Sequence, residues 1–140
     1  MFRLSPIKLW RNISIIMFLL AMVFCLIGTF TIHGVLIIHW NDAGVPNNSS
    51  GQWVLWAMLL LAFLSMFTHS SFSKKRPGQN SLSIEMSGAF STGLVSTWSI
   101  INITLVTYYF YPLTEIVIIG TAAIAFCYIL FPVIAHIRNR

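Results

Sequence analysis

The chain has 140 residues, 57% hydrophobic and only 8% charged, with a formal net charge of +5. A soluble domain carries about 25% charge, so this composition excludes an ordinary water-soluble fold. The basic residues stand at the ends of apolar blocks, where they suit anionic headgroups; they form no nucleic-acid footprint.

A spanning helix needs roughly 20 apolar residues to cross about 30 Å of hydrocarbon. Four blocks qualify, at 13–32, 53–72, 91–111 and 116–135. They predict one membrane domain over residues 1–140, all-α, with four transmembrane helices. Arg3, Lys8 and Arg11 precede the first block, Lys74, Lys75 and Arg76 follow the second, and Arg138 and Arg140 follow the fourth. The loops 33–52 and 112–115 hold no Lys or Arg. The positive-inside rule then places both termini and the basic loop 73–90 in the cytoplasm, and the other two loops outside.

Residues 1–12 read as an interfacial lead-in, with Phe2 and Trp10 among basic residues. Pro6 is expected to stop one helix from running through it. Trp10 and Arg11 suit the headgroup level. The first block is too long for the apolar core of a cleaved signal, and no small-x-small cleavage pattern precedes Thr29, so it is expected to remain as a span. Within it Ala21, Cys25 and Gly28 make a narrow strip that admits another helix. Cys25 and Cys127 both fall inside spans and read as buried thiols rather than a disulfide.

The loop 33–52 opens with the apolar run Val35-Leu36-Ile37-Ile38, one more helical turn or a short extended segment at the interface. Asn41-Asp42, Gly44, Pro46-Asn47-Asn48 and Gly51 follow, all turn formers. A loop of this length is often functional. Asn48-Ser49-Ser50 also fits the short glycosylation pattern. The second block begins with the interfacial pair Trp53 and Trp56 and ends near His69. Residues 81–90, with Glu85, read as a cytoplasmic lead-in to the third helix.

The third block is the most polar. Gly88, Thr92, Ser96 and Ser99 share one helical face; Gly93, Thr97 and Thr104 line the next, with Asn102 nearby. Such residues hydrogen-bond across helices and let backbones approach, which predicts a bundle-interior helix. A polar pore lining is the alternative, though conducting paths usually hold an ionisable group mid-span. Tyr108, Tyr109 and Tyr111 form an aromatic belt. The short turn at 112–115 makes the third and fourth helices antiparallel neighbours. The fourth begins thin, with Gly120, Ala122, Ala123 and Ala125, and is expected to bend at Pro132.

No nucleophile motif, phosphate loop, paired carboxylate or metal box is present. The three acids are Asp42, Glu85 and Glu115, all read as lying near helix ends or in loops. Acid–base or metal chemistry would have to draw on Asp42 with His33 or His39, whose spacing fits no strong ligand pattern. The expectation is a non-enzymatic protein without cofactor or metal. The segment His39, Trp40, Asn41, Gly44 and Pro46 is the candidate binding site. It is either a structural lid on the outer face or a recognition surface.

Those residues also carry a resemblance. One span, then His39-Trp40-Asn41, Gly44 and Pro46, then a second span, resembles the bacterial domain-of-unknown-function membrane hairpin at the N-terminal part of SdpI-like immunity and signalling proteins. Arg76-Pro77-Gly78-Gln79-Asn80 is similar to the loop that follows the second span there. The chain departs from the pattern in lacking a Leu-Pro-acidic stretch before His39 and a Lys before the second span. The resemblance implies a bacterial cell membrane and about four helices, and no established reaction. It suggests peptide or bacteriocin immunity, or envelope sensing, through the outer loop; the alternative is a small transporter or channel subunit acting as an oligomer. The expected partners are the lipid bilayer and a peptide or membrane protein, with no nucleic acid. Nothing in the sequence sets an oligomeric state.

Overall fold

A computed structural model describes residues 6–41, 43–73 and 80–139, with the side chains of 8–41, 43–69 and 80–139. Asp42 and the basic residues Arg3, Lys74, Lys75, Arg76 and Arg140, together with the Pro77 turn, lie outside the described residues. The elements in order are α1 (Pro6–Thr31), β1 (Leu36–Trp40), β2 (Pro46–Ser50), α2 (Trp53–Ser73), α3 (Ser81–Phe110) and α4 (Thr114–Arg138).

Three stretches are long and apolar enough to cross a membrane: Lys8–Thr31 of α1, all of α3 and all of α4; Trp53–His69 is a shorter apolar helix. The chain is a membrane protein by this measure. Pro6 is the first residue of α1, and the residues before it lie outside the described ones. At the first position of a helix proline loses no intrahelical bond, and its fixed φ already suits the helix. α3 begins ten residues ahead of the expected span, so residues 81–90 are full helix and not a lead-in turn. Asn80 caps that start, its side chain accepting a hydrogen bond from Ser83 N at 2.8 Å.

α3 is the hub and packs along α1, α2 and α4. Gly28 of α1 lies against Leu55 of α2 and Val106 of α3, while Trp10 of α1 lies against Gly88 of α3. α1 and α3 therefore run parallel and pack directly on each other, with α2 antiparallel to both. α4 returns antiparallel to α3, with Gly120 against Thr104 and Tyr128 against Gly93. The polar face of α3 is interior: Thr92, Ser96, Ser99 and Asn102 are fully buried. Buried residues form two apolar clusters. One joins Ala21, Cys25 and Ile32 to Leu36, Leu55 and Val106. The other joins Trp10 to Ala89, Phe131 and Ala135 near the opposite end.

The loop expected at 33–52 is a two-stranded antiparallel hairpin, so the all-α expectation fails there. The cause is the strand period. Leu36, Ile38 and Trp40 alternate along β1 and pack on the core below, while His39 between them is exposed. A helical turn would have spread these residues around an axis and exposed part of the set. Register passes from Ile37↔Ser49 to His39↔Asn48 and then to Trp40↔Pro46. Ile38 is thus extra on β1 and Asn47 extra on β2, two bulges that restore the original register.

Candidate functional site

The five residues singled out by sequence come together at the hairpin tip. Asn41 organises the turn: its side-chain oxygen accepts from Ala43 N at 3.1 Å and Val45 N at 2.9 Å. Its backbone N–H donates to Val45 O, and its carbonyl accepts from Gly44 N at 2.8 Å. Gly44 has φ +74, a left-handed conformation that costs a residue with a Cβ about 1–2 kcal/mol. His39 Nδ1 lies 2.6 Å from Asn47 Oδ1 across the strands, fully on the exposed side. Trp40 pairs with Pro46 in register, and its ring meets Tyr108 edge-on at 5.0 Å between centroids. His33 is exposed and lies apart from this turn in sequence.

β1 is thereby fixed to the bundle, whereas every residue of β2 from Pro46 to Ser49 is exposed. Beside the tip, Trp40, Asn41, Gly44, Thr114, Val117 and Ile118 line a hollow of about 370 Å³. A second hollow of about 280 Å³ continues from Trp40 and Val117 to Thr104, Gly120 and Thr121, between the hairpin, α3 and α4. The Trp40 indole N–H is shielded and has no acceptor among the described residues.

A second polar constellation sits at the other end of the bundle, where the sequence reading placed no site. Glu85 is buried inside α3, only 3% exposed. It is not in a loop or a lead-in turn. Its carboxylate accepts from Trp10 Nε1 of α1 at 2.6 Å and from Arg138 Nε of α4 at 3.2 Å. A carboxylate taken from water loses several kcal/mol of hydration, on the order of what good partners return. The Arg138 charge and the indole donor supply those partners. One helical turn and more further in, His69 Nε2 of α2 lies 2.7 Å from Ser14 Oγ of α1. Ser14 donates to Thr92 Oγ1 of α3 at 3.2 Å, and Thr92 is within reach of the Gly88 and Trp10 carbonyls. The direction of the Ser14–His69 hydrogen bond follows the imidazole tautomer: Nε2 donates when it carries the proton and accepts from the Ser14 hydroxyl when it does not.

All four helices are therefore joined at this end by polar side chains, buried on α1, α2 and α3 and half-buried at Arg138 of α4. Among the described residues no three His, Cys, Asp or Glu groups stand close enough to hold a metal ion. The constellation can bind helices to one another and fix their charges; the one hydroxyl–imidazole pair in it, Ser14 with His69, is closed off between the helices, Ser14 fully buried and His69 8% exposed. The signal available in the sequence was the spacing of Glu85 with Gly88, Thr92 and Ser99. That spacing sets the acid on the same helical face as the small polar residues, and so toward the bundle interior. Nothing local pointed to Trp10, His69 or Arg138 as its neighbours. Compared with protein-family models, with curated proteins and with solved structures, the chain matches none.

Proposed function

We propose that this chain is a non-enzymatic, multi-pass protein of a bacterial cell membrane that recognises a peptide or a membrane-protein partner through its outer hairpin. On this reading α2 is a fourth span: its 21 residues reach about 32 Å at 1.5 Å per residue, enough for the hydrocarbon core. Both termini and the basic loop are then cytoplasmic. The observation that carries the reading is the mounting of β2. An exposed, uncharged polar strand is held at a fixed height by β1, whose Leu36 and Trp40 are set into the bundle. Binding residues are often presented by loops on a rigid scaffold in this way. Immunity or envelope sensing fits such a surface.

The transporter or channel reading draws less support. Thr92, Ser96 and Ser99 are sealed between packed helices, so a polar path would need a second copy of the chain.

A photo-crosslinking residue at Ser49, on the exposed strand, should give protein or peptide adducts in intact cells, while the same probe at Phe126, an exposed α4 position, should give chiefly lipid adducts. Lipid adducts alone at both positions would refute recognition by β2. Topology has its own test. With Cys25 and Cys127 replaced by serine, a cysteine at Ser49 should react with an impermeant reagent outside cells, and one at Ser81 should not. The reverse pattern would invert the orientation.

A further inference from the structure

The geometry points to the last turn and a half of α4, residues 133–138, as a hinged latch that covers the buried Trp10–Glu85 pair and is held shut by Arg138. Three observations meet here. First, Pro132 lies inside α4. It has no amide proton for the Tyr128 carbonyl and its ring crowds that oxygen, so the helix is weakened at this residue. Second, the anchoring of α4 is concentrated around that point. Apart from Gly120, its buried residues are Phe131 and Ala135, both in the cluster around Trp10. Farther toward Thr114, Ile118, Ile119, Phe126 and Ile129 are exposed and the hollow at Gly120 opens beside the helix. Third, beyond the proline the segment is tied to the start of α3 by polar bonds. Arg138 reaches Glu85, and Ser81 donates to the Asn139 side chain at 2.5 Å.

A short segment hinged at one end and fastened by a charge at the other has two discrete positions available to it. Closed, it shields Trp10, Ala89 and the Glu85 carboxylate. Open, it exposes that carboxylate and the indole donor at the membrane face of α1 and α3. Removing the charge from Glu85 removes the attraction to Arg138 but keeps the shape of the side chain and an acceptor for Trp10. The hinge on Pro132 then lets the segment move without unpacking the α1–α2–α3 core.

The test uses the full-length protein in nanodiscs, with Cys127→Ser and Ala135→Cys as the reporter. Native Cys25, fully buried in the other cluster, serves as the internal control. Reaction with a small permeant maleimide is read at each site by mass spectrometry. Glu85→Gln and Arg138→Gln should each speed modification at position 135 by about tenfold, the equilibrium shift expected for losing one charge-assisted hydrogen bond. Cys25 should stay as protected as before. Ser81→Ala, which removes only an exposed neutral bond, should give a much smaller change. Unchanged rates at position 135 in both charge variants would overturn the latch. So would a parallel rise at position 135 and Cys25, which would mean that the whole bundle loosens.

Discussion

At the hairpin end the organising bonds are local: Asn41 reaches residues two and four positions along, and His39 reaches one eight along. At the opposite end the bonds join residues 53, 55, 75 and 78 apart. The hairpin is a device of neighbours, built by turn chemistry and set on the bundle through one apolar face. The buried polar end is a device of topology, and exists only when all four helices are in place. The first should fail alone. The second should take the fold with it.

Trp10→Ala would break this contrast most directly. It empties a fully buried site and strips a donor from the Glu85 carboxylate, at a cost of about 3–5 kcal/mol. Thermal unfolding in detergent should shift strongly. If it moved no more than for a hairpin substitution, the two ends would not differ as described. Gly88→Val comes next. A Cβ at Gly88 would sit 2.5 Å from Trp10 Cδ1, and overpacking of this kind costs about 1–3 kcal/mol. Gly44→Ala, at φ +74, should cost about 1–2 kcal/mol. Its effect should appear as faster amide hydrogen exchange over residues 36–50, with the helices unchanged; faster exchange in α3 would couple the two ends after all. His39→Ala should be the mildest, within about 0.5 kcal/mol as an exposed site. The same variant sharpens the functional question, because loss of a crosslinked partner with unchanged melting would assign His39 to recognition.

The same contrast explains what could be read from sequence. Hydrophobic length placed the helices, and the small polar spacing of Gly88, Thr92, Ser96 and Ser99 placed α3 inside, because both are properties of contiguous residues. Asn41, Gly44 and Pro46 were legible as turn formers for the same reason. Sequence leaves helical turn and extended segment both open at Val35–Ile38, because a four-residue apolar run carries too little periodicity to separate strand from helix. What decides it is the core under Leu36, Ile38 and Trp40, supplied by distant helices. Glu85 reads from sequence as an acid near a helix end because its two partners, Trp10 and Arg138, lie on two other helices far along the chain. No window of sequence contains Trp10, Glu85 and Arg138 together.

The wide separation of those partners also orders the assembly of the chain in time. Trp10 is synthesised 75 residues before Glu85, and Arg138 follows 53 residues after it. At synthesis rates of about 5–20 residues per second, α3 waits on the order of 3–10 s with its carboxylate already made and its cation still to come. During that interval Trp10 is the one member of the trio available to receive the acid. A nascent chain carrying Trp10→Phe would present an uncompensated acid to the insertion machinery, and its losses would fall on yield during biosynthesis more than on the stability of the molecules that finish.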